Sequence, residues 1–407
     1  RSGEEWAVAT SVTDEDPLFA RLLRIDFFFA AEAMAEATAA VAAVRGVDTT
    51  PRNAAYVEAY TEWVAGDLLA SAACFERALL LAPVDAFALK RASLLYFLGG
   101  APGDMLRVTV DDRVGAAQVG APYYHGMLAF ALEQNGDLTG CLEHGKKGVD
   151  LVPSDLWAVH AVAHALYFQG KVADGVEWLQ STRASWKGCS FIVSHLWWHL
   201  ALCLIDAGDF DTCFELYDAH VFAIDPTNSQ DQMGALGLLL KLHIRMRVTQ
   251  AALSSTPLDL SAPAEVSTRL EDAVAKCAPK LTYHGDPFFD TLLAYALGAC
   301  GDDAGYATLS DTATSTVAGL PEARRGAAGT PWLRGMSALH AFAKGDAGAA
   351  AFGEDGAVRL DSAALGNSSE QRDVLDEALF VCLVASGGAP GALAIARQRQ
   401  RLRPDIP

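Results

Sequence analysis

Apolar positions in the first half of the chain recur at helical spacing in segments that each end at a glycine turn. Such segments close at WVAGDL, FALEQNGDL, LYFQGK and LIDAGDF. The turn glycines, which lie 33 to 38 residues apart, are Gly66, Gly99, Gly136, Gly170 and Gly208. After several of them comes a second apolar segment that a proline ends. A helix pair repeated at this period buries its apolar face only by stacking on its neighbours.

This pattern predicts an all-α fold, a tetratricopeptide-like α-solenoid of stacked antiparallel helix pairs. No segment alternates apolar and polar residues for long enough to predict a β-strand. We expect an N-terminal helical cap over residues 1–50 and regular repeats over 51–242. A Ser/Thr/Pro-rich, linker-like segment follows over 243–267, and irregular helical repeats occupy 268–407.

Composition narrows the class of protein. Hydrophobic residues make up 51% of the chain and charged residues 20%, which allows a large core. The net charge of −19 disfavours binding to nucleic acid, whose backbone is also negative. No apolar run is long enough to predict a transmembrane segment. The eight cysteines form no C-x-x-C pair, which favours buried thiols in an intracellular, reducing compartment, either cytoplasmic or organellar. Because the chain starts at Arg1 rather than Met, we allow for a processed N-terminus.

Two pairs of histidines stand out as candidate chemistry. The stretch DLWAVHAVAHALYFQG contains His160 and His164, and SHLWWHLALCLIDAGD contains His195 and His199. Residues four apart lie on one face of a helix, so each pair has the spacing at which two imidazoles share one ligand.

The repeat register predicts where these side chains point. In tetratricopeptide arrays, positions two, five, six, nine and twelve of each first helix line the concave surface. With the turn glycine at position fifteen, the residues at such positions are Tyr123, Trp157, His160, His164, His195, Trp198 and His199. We therefore expect all four histidines to face one groove, with tryptophans beside them.

Three interpretations of the histidines remain open. They are structural residues with backbone or tyrosine partners, the floor of a groove that binds a peptide, a protein partner or a small-molecule ligand, or a metal or haem site. No acidic residue sits beside either pair in the sequence as a carboxylate ligand or base. We interpret the chain as a helical-repeat binding protein, with a metal- or cofactor-dependent enzyme as the alternative. We assign no metal, and the four histidines are the candidate ligands for one. The sequence identifies no cofactor, catalytic residue or oligomeric state.

The runs DLWAVHAVAHALYFQGK, HLWWHLALCLIDAGDFDTCFELYD and NSSEQRDVLDEAL resemble the tetratricopeptide repeat protein 38 family. The resemblance spans about residues 55 to 404 and implies an intracellular helical array. It adds Asp218, Arg372 and Asp373 to the expected ligand-binding residues, alongside Tyr217 and Gln371 at matching positions. Two positions where the family usually has histidine are Leu292 and Ser369 here.

Overall fold

The chain is all-α in the computed structural model, which describes residue 7 and residues 10–187, 192–353, 358–366 and 368–403. Within these ranges no β-strand forms, and the one β-type contact is an isolated bridge between Phe352 and Val358. Helices that follow each other in the chain pack together in pairs. The predicted fold, a tetratricopeptide-like stack of helix pairs, is confirmed.

The chain divides into two compact units. Unit 1 consists of Arg1–Phe168 and Glu177–Val193. In its core, Tyr56, Tyr60 and Phe75 are fully buried, and Phe75 meets both tyrosine rings edge to face. Its helices are α1 (Leu18–Ala30), α2 (Met34–Val44), α3 (Pro51–Val64), α4 (Leu68–Leu81), α5 (Ala86–Leu98), α6 (Pro102–Thr109), α7 (Asp112–Gln118), α8 (Tyr124–Gln134), α9 (Leu138–Leu151) and α10 (Leu156–Phe168), together with the second part of α11 (Val172–Thr182) and a 3-10 turn at Arg183–Trp186.

Unit 2 consists of Gln169–Val176 and Ser194–Pro407. The longest helix in the described part of the chain is α14, which packs against α15, α16 and α22. The helices of unit 2 that follow α11 are α12 (Val193–Asp206), α13 (Phe210–Leu216), α14 (Ser229–Ser254), α15 (Ala264–Cys277), α16 (Pro287–Cys300), α17 (Asp303–Ala318), α18 (Glu322–Arg324), α19 (Thr330–Ala343), α20 (Ala347–Ala351), α21 (Ser362–Leu365), α22 (Ser369–Ala385) and α23 (Ala389–Leu402), with single turns of 3-10 helix at Ala278–Lys280 and of π-helix at Tyr217–Val221 and Arg325–Gly329.

A two-residue Gly–Asp turn joins the helices of several pairs. Its glycine has a left-handed backbone, which glycine adopts without steric cost. The next residue, an aspartate, accepts a hydrogen bond from a backbone N–H in the first turn of the second helix. These turns are Gly66–Asp67, Gly136–Asp137, Gly208–Asp209, Gly301–Asp302 and Gly345–Asp346. At the turn predicted around Gly99, the left-handed residue is Gly100 instead.

The segment predicted to be linker-like, residues 243–267, is largely helical. Helix α14 continues to Ser254, and α15 begins at Ala264. The side chain of His243 explains part of this order, since its ring nitrogens bond to the hydroxyl of Tyr295 and to the carbonyl of Leu260. The serine- and proline-rich composition of the segment corresponds only to its non-helical middle part, residues 255–263.

The sequence also led to expectations about transmembrane segments and about the state of the cysteines. None of its helices is long and apolar enough to cross a membrane. Its seven described cysteines form no disulfide with one another, and six of them are buried. Burial raises the pKa of the Cys203 thiol to about 12, which keeps it protonated and unreactive.

The turn glycines provide a test of the repeat register. Gly136 has φ +83°, and a methyl group added there would meet nothing within 4 Å, so its replacement carries a backbone cost only. We expect Gly136→Ala to lower the free energy of unfolding of its unit by about 1 kcal/mol, as measured by denaturant titration. The matched control is Gly103→Ala in α6, where a methyl group also has open space and the backbone is right-handed. Equal effects of the two substitutions would contradict the assignment of Gly136 as the left-handed turn residue of its repeat.

Candidate functional site

In unit 1, helix α10 presents His160 and His164 on adjacent turns of one face. Their side chains are buried, with 3% and 1% of the residue surface exposed. The two Nε2 atoms lie 2.8 Å apart, and the ring centroids lie 4.2 Å apart. The helical spacing thus brings two imidazoles into direct contact, as the sequence predicts.

A carboxylate completes this pair. Glu133, on the preceding first helix α8, places Oε2 3.3 Å from Nδ1 of His164, and both side chains are 1% exposed. The contact is within ion-pair distance, and a proton on Nδ1 of His164 would face Glu133 and leave the lone pair of this ring on Nε2. Glu133 is not among the predicted site residues, because it lies on a different helix from the histidines and far from them in the sequence. The repeat register contains the signal, since Glu133 occupies position twelve, one of the groove-facing positions.

Aromatic rings surround the same pair within unit 1. Phe130 of α8 lies 5.4 Å from the ring centroid of His160 and 5.8 Å from that of His164. Trp157 lies 5.6 Å from His160 and 5.7 Å from Phe130. These rings shield the imidazoles from water on the face that the first helices share.

A lysine lies on this aromatic surface. The ammonium of Lys90, from α5, is 3.0 Å from the ring centroid of Trp157 and forms no ion pair with a described carboxylate. Burial lowers the pKa of Lys90, and the neighbouring Arg91 lowers it further. With Gly100 at position fifteen of its repeat, Lys90 is at position five, which is one of the groove-facing positions. The repeat register therefore places Lys90 on the same surface as the histidines.

The buried side chain of Asp155 caps the N-terminus of α10. Oδ1 of Asp155 accepts a hydrogen bond of 3.1 Å from the N–H of Ala158. A methyl group at Gly126 of α8 would lie 2.5 Å from Oδ2 of Asp155, so glycine at that position makes room for the carboxyl. Burial raises the pKa of Asp155 to about 6, against the hydrogen bond from Ala158.

Unit 2 contains the second pair, on α12. The Nε2 atoms of His195 and His199 lie 3.1 Å apart. His199 is buried and His195 is half-buried, and the ring of Trp198 stacks on His195 with centroids 5.2 Å apart. The indole N–H of Trp198 has no hydrogen-bond partner among the described residues. That both pairs face one groove remains a prediction.

The other predicted ligand-binding residues have different surroundings. Tyr123 is 51% exposed, with a left-handed backbone just before α8. Asp218 forms a two-fold ion pair with Arg269. Arg372 donates to the carbonyl of Gly366 and to the hydroxyl of Ser369.

Asp373 belongs to a buried ion cluster of unit 2. Its carboxylate lies 3.1 Å from Nζ of Lys241 and 2.8 Å from Nε of Arg399. These ion pairs join parts of the chain to each other, as the contacts of Asp218 and Arg372 do. A role for these residues in ligand binding stays a prediction.

The buried carboxyl of Asp155 makes the free energy of unfolding depend on pH. Because the pKa of Asp155 in the folded chain exceeds the ordinary value of 3.8, folding favours the protonated carboxyl. This stabilisation is complete below pH 4 and is lost as the pH rises to about 6. We expect the free energy of unfolding of the wild type, relative to Asp155→Asn, to fall by about 3 kcal/mol between pH 4 and pH 7. Asparagine keeps the cap, so a difference that is constant with pH would rule out a raised pKa.

No protein-family model matches the chain. Among solved structures, it is similar to a chain of the structure of Naa15/Naa10 bound to HypK-THB, with 12% identity, a TM-score of 0.27, and coverage of 95% of this chain and 59% of that one. The chain therefore spans less than two thirds of that protein's length. It is also similar to the TPR domain of P58(IPK), with 12% identity, a TM-score of 0.22, and coverage of 82% of this chain and 98% of that domain. The functional interpretation rests on the side chains alone.

Proposed function

We propose that this chain is a helical-repeat binding protein whose histidine pairs bind a divalent transition-metal ion. The observation that carries the proposal is the buried series Glu133, His164 and His160. Histidines that bind metals usually donate one ring N–H to a carboxylate, which orients the ring and raises the basicity of the other nitrogen. Glu133 lies 3.3 Å from Nδ1 of His164, whose Nε2 is 2.8 Å from Nε2 of His160.

The same geometry without a metal is a hydrogen bond between the two rings, in which Nε2–H of His160 donates to Nε2 of His164. Binding an ion requires His160 to move its proton to Nδ1, so that both Nε2 lone pairs meet the metal. Two nitrogens bound tetrahedrally to one zinc ion are about 3.3 Å apart, so the Nε2 separation must grow by a few tenths of an ångström. Small side-chain rotations supply this change, and neutral imidazole suits Zn²⁺, Ni²⁺ and Cu²⁺.

His195 and His199 in unit 2 form an equivalent pair, and their separation of 3.1 Å is close to the value for two zinc ligands. The repeat register predicts that all four histidines face one groove. The number of ions bound per chain therefore distinguishes a shared site from two separate sites.

A small organic anion, free or as part of a peptide, is the second candidate ligand. The observation that favours it is Lys90, whose ammonium lies 3.0 Å from the ring centroid of Trp157 and is not within ion-pair distance of a described carboxylate. A carboxylate would pair with this ammonium, while an aromatic ring of the ligand would lie against Trp157 and Phe130. Benzoate is a suitable probe, and Lys90→Met should abolish its binding. Unchanged binding to this variant would remove the second candidate.

We further propose that the chain is a divergent member of the tetratricopeptide repeat protein 38 family and is located inside the cell. The motifs around His160 and His199 support the first statement. The buried cysteine thiols support the second.

Metal analysis tests the main proposal. Protein stripped with a chelator is dialysed against Zn²⁺, freed of unbound ion and analysed for metal by emission spectroscopy. We expect one ion per chain if the pairs share a site and two if they do not. Substituting His160 and His164 with glutamine should abolish binding at the unit 1 pair, and Glu133→Gln should weaken it about 10- to 100-fold.

His340→Gln is the control, since His340 is a single histidine stacked on Tyr306 and should leave zinc binding unchanged. Circular dichroism confirms that each variant is folded. A folded wild type that retains no zinc would show that the histidines form hydrogen-bonded pairs only. A His160/His164 double variant with wild-type zinc content would place the metal elsewhere.

A further inference from the structure

A carboxylate, an imidazole and a hydroxyl form a hydrogen-bonded series within unit 2. Nδ1 of His284 lies 2.7 Å from Oδ2 of Asp290, and Nε2 of the same ring lies 2.8 Å from Oγ1 of Thr312. His284 is in the loop before α16, Asp290 is in the first turn of that helix, and Thr312 is on α17. A hydroxyl within reach of an imidazole that a third group orients is the arrangement of an activated nucleophile.

The imidazole and the carboxylate are shielded from water. The side chain of His284 is 5% exposed, and that of Asp290 is fully buried. The ring of Trp332, on α19, meets the imidazole edge to face with centroids 5.5 Å apart. Because the imidazole has a partner at each nitrogen and an aromatic ring beside it, its orientation is fixed, as a general base requires.

The carboxylate decides which nitrogen of His284 carries the proton. Burial raises the pKa of Asp290, and the hydrogen bond and the charge of His284 oppose this shift. An ionised carboxylate only accepts hydrogen bonds, so Nδ1 of the neutral ring is the donor to Asp290. The lone pair of the ring is then on Nε2, which faces the hydroxyl of Thr312.

The hydroxyl of Thr312 has one proton and several acceptors within reach. Besides Nε2 of His284, they are the carbonyls of Thr308 at 2.7 Å, Leu309 at 3.3 Å and Leu281 at 3.4 Å. The carbonyl of Thr308 keeps a backbone hydrogen bond within α17, whereas Nε2 has only Thr312 as a partner among the described residues. A buried acceptor without a partner costs free energy, so the proton is directed to Nε2 when the ring is neutral.

Thr312 is the member of the series that a substrate can reach. It is half-buried, and Thr308 and Thr316, one turn before and one turn after it on α17, are exposed. The backbone N–H groups of His284 and Gly285 donate to no carbonyl of the described residues. They are next to the imidazole in the chain, and N–H groups of this kind stabilise the oxyanion that forms in acyl transfer.

We propose that Asp290, His284 and Thr312 form an ester-hydrolysing triad, in which Thr312 is the nucleophile, His284 is the general base and Asp290 orients the imidazole. The substrate is a carboxylic ester that reaches the hydroxyl from the exposed face of α17. This activity goes beyond the proposed binding function and does not depend on it, since the histidine pairs and Lys90 take no part.

The reaction has two steps. Oγ1 of Thr312 attacks the ester carbonyl carbon while its proton passes to Nε2 of His284. The bond to the leaving alkoxide then breaks, and the alkoxide takes this proton, which leaves an acyl group on Thr312. In the second step a water molecule gives a proton to Nε2 and attacks the acyl carbon. The carboxylic acid is released, and the hydroxyl of Thr312 is restored.

Covalent labelling of the full chain, treated with a chelator, tests the nucleophile. An alkyl fluorophosphonate reacts with an activated hydroxyl, which displaces fluoride and keeps the phosphonyl group on its oxygen. Peptide mass spectrometry of the wild type should locate this group on Thr312. An unlabelled chain, or a label spread over other hydroxyl side chains, would overturn the proposal.

Substitutions on α17 separate Thr312 from its neighbours. Thr312→Val keeps the shape of the side chain without the hydroxyl and should abolish labelling, while Thr312→Ser should still be labelled. Thr308→Val is the matched control, because Thr308 is on the same helix and its hydroxyl bonds to the carbonyl of Ala304 instead of an imidazole. We expect this variant to be labelled as the wild type is. Circular dichroism confirms that each variant is folded.

A substitution of His284 tests the base. His284 has a left-handed backbone with φ +50°, which asparagine tolerates better than most residues. We expect His284→Asn to lower the rate of labelling by about 100-fold or more. A folded variant that is labelled at the wild-type rate would show that the imidazole does not activate Thr312.

The role of Asp290 has a spectroscopic test. The proton that Nδ1 of His284 donates to Asp290 should give a proton NMR signal downfield of the backbone amides. Asp290→Asn should remove this signal and also slow the labelling of Thr312. Loss of the signal with an unchanged rate of labelling would reduce Asp290 to a structural partner and would contradict the triad.

Ester turnover tests the complete reaction. With protein in excess over p-nitrophenyl acetate, the wild type should release p-nitrophenolate and carry one acetyl group on Thr312. With ester in excess, turnover should continue, because water removes the acetyl group. Histidines elsewhere in the chain cleave this ester slowly, so the comparison is between Thr308→Val and Thr312→Val. Equal rates of turnover in these two variants would rule out the site.

Discussion

The Gly–Asp turn is the constraint on which the rest of this structure depends. The left-handed glycine ends the first helix, and the aspartate that follows caps the second helix within one residue. So short a turn leaves the two helices antiparallel and in contact. Because the same turn recurs, the first helices of successive repeats within a unit lie side by side, and their groove-facing side chains become neighbours.

The chemistry of unit 1 follows from that alignment. Phe130 and Glu133 of α8 meet Trp157, His160 and His164 of α10 because all five are at groove-facing positions of the first helices of two consecutive repeats. Taking two imidazoles and a carboxylate out of water costs free energy unless each polar atom has a partner. A hydrogen bond between the two rings and a metal ion would each supply partners for the Nε2 atoms, and the carboxylate near Nδ1 of His164 favours the ring orientation that suits a metal ligand.

In unit 2, the buried charged groups have ion-pair partners. Asp206, Asp373 and Glu377 are each bound by at least two cations. Such a cluster contributes little net stability, since the loss of hydration offsets most of the attraction between the charges. The two units therefore satisfy their buried polar groups in different ways.

The sequence by itself determined the helix pairs, the turn positions and the contact within each histidine pair. These features depend on backbone preferences and on spacings of one helical turn, which a short stretch of sequence contains. It did not reveal that Glu133 binds His164 or that Lys90 lies on Trp157. Nor did it show that Asp373 faces Lys241, which is distant in the chain. Only the tertiary structure decided these contacts, because they depend on how helices pack and on which side chains lose water together.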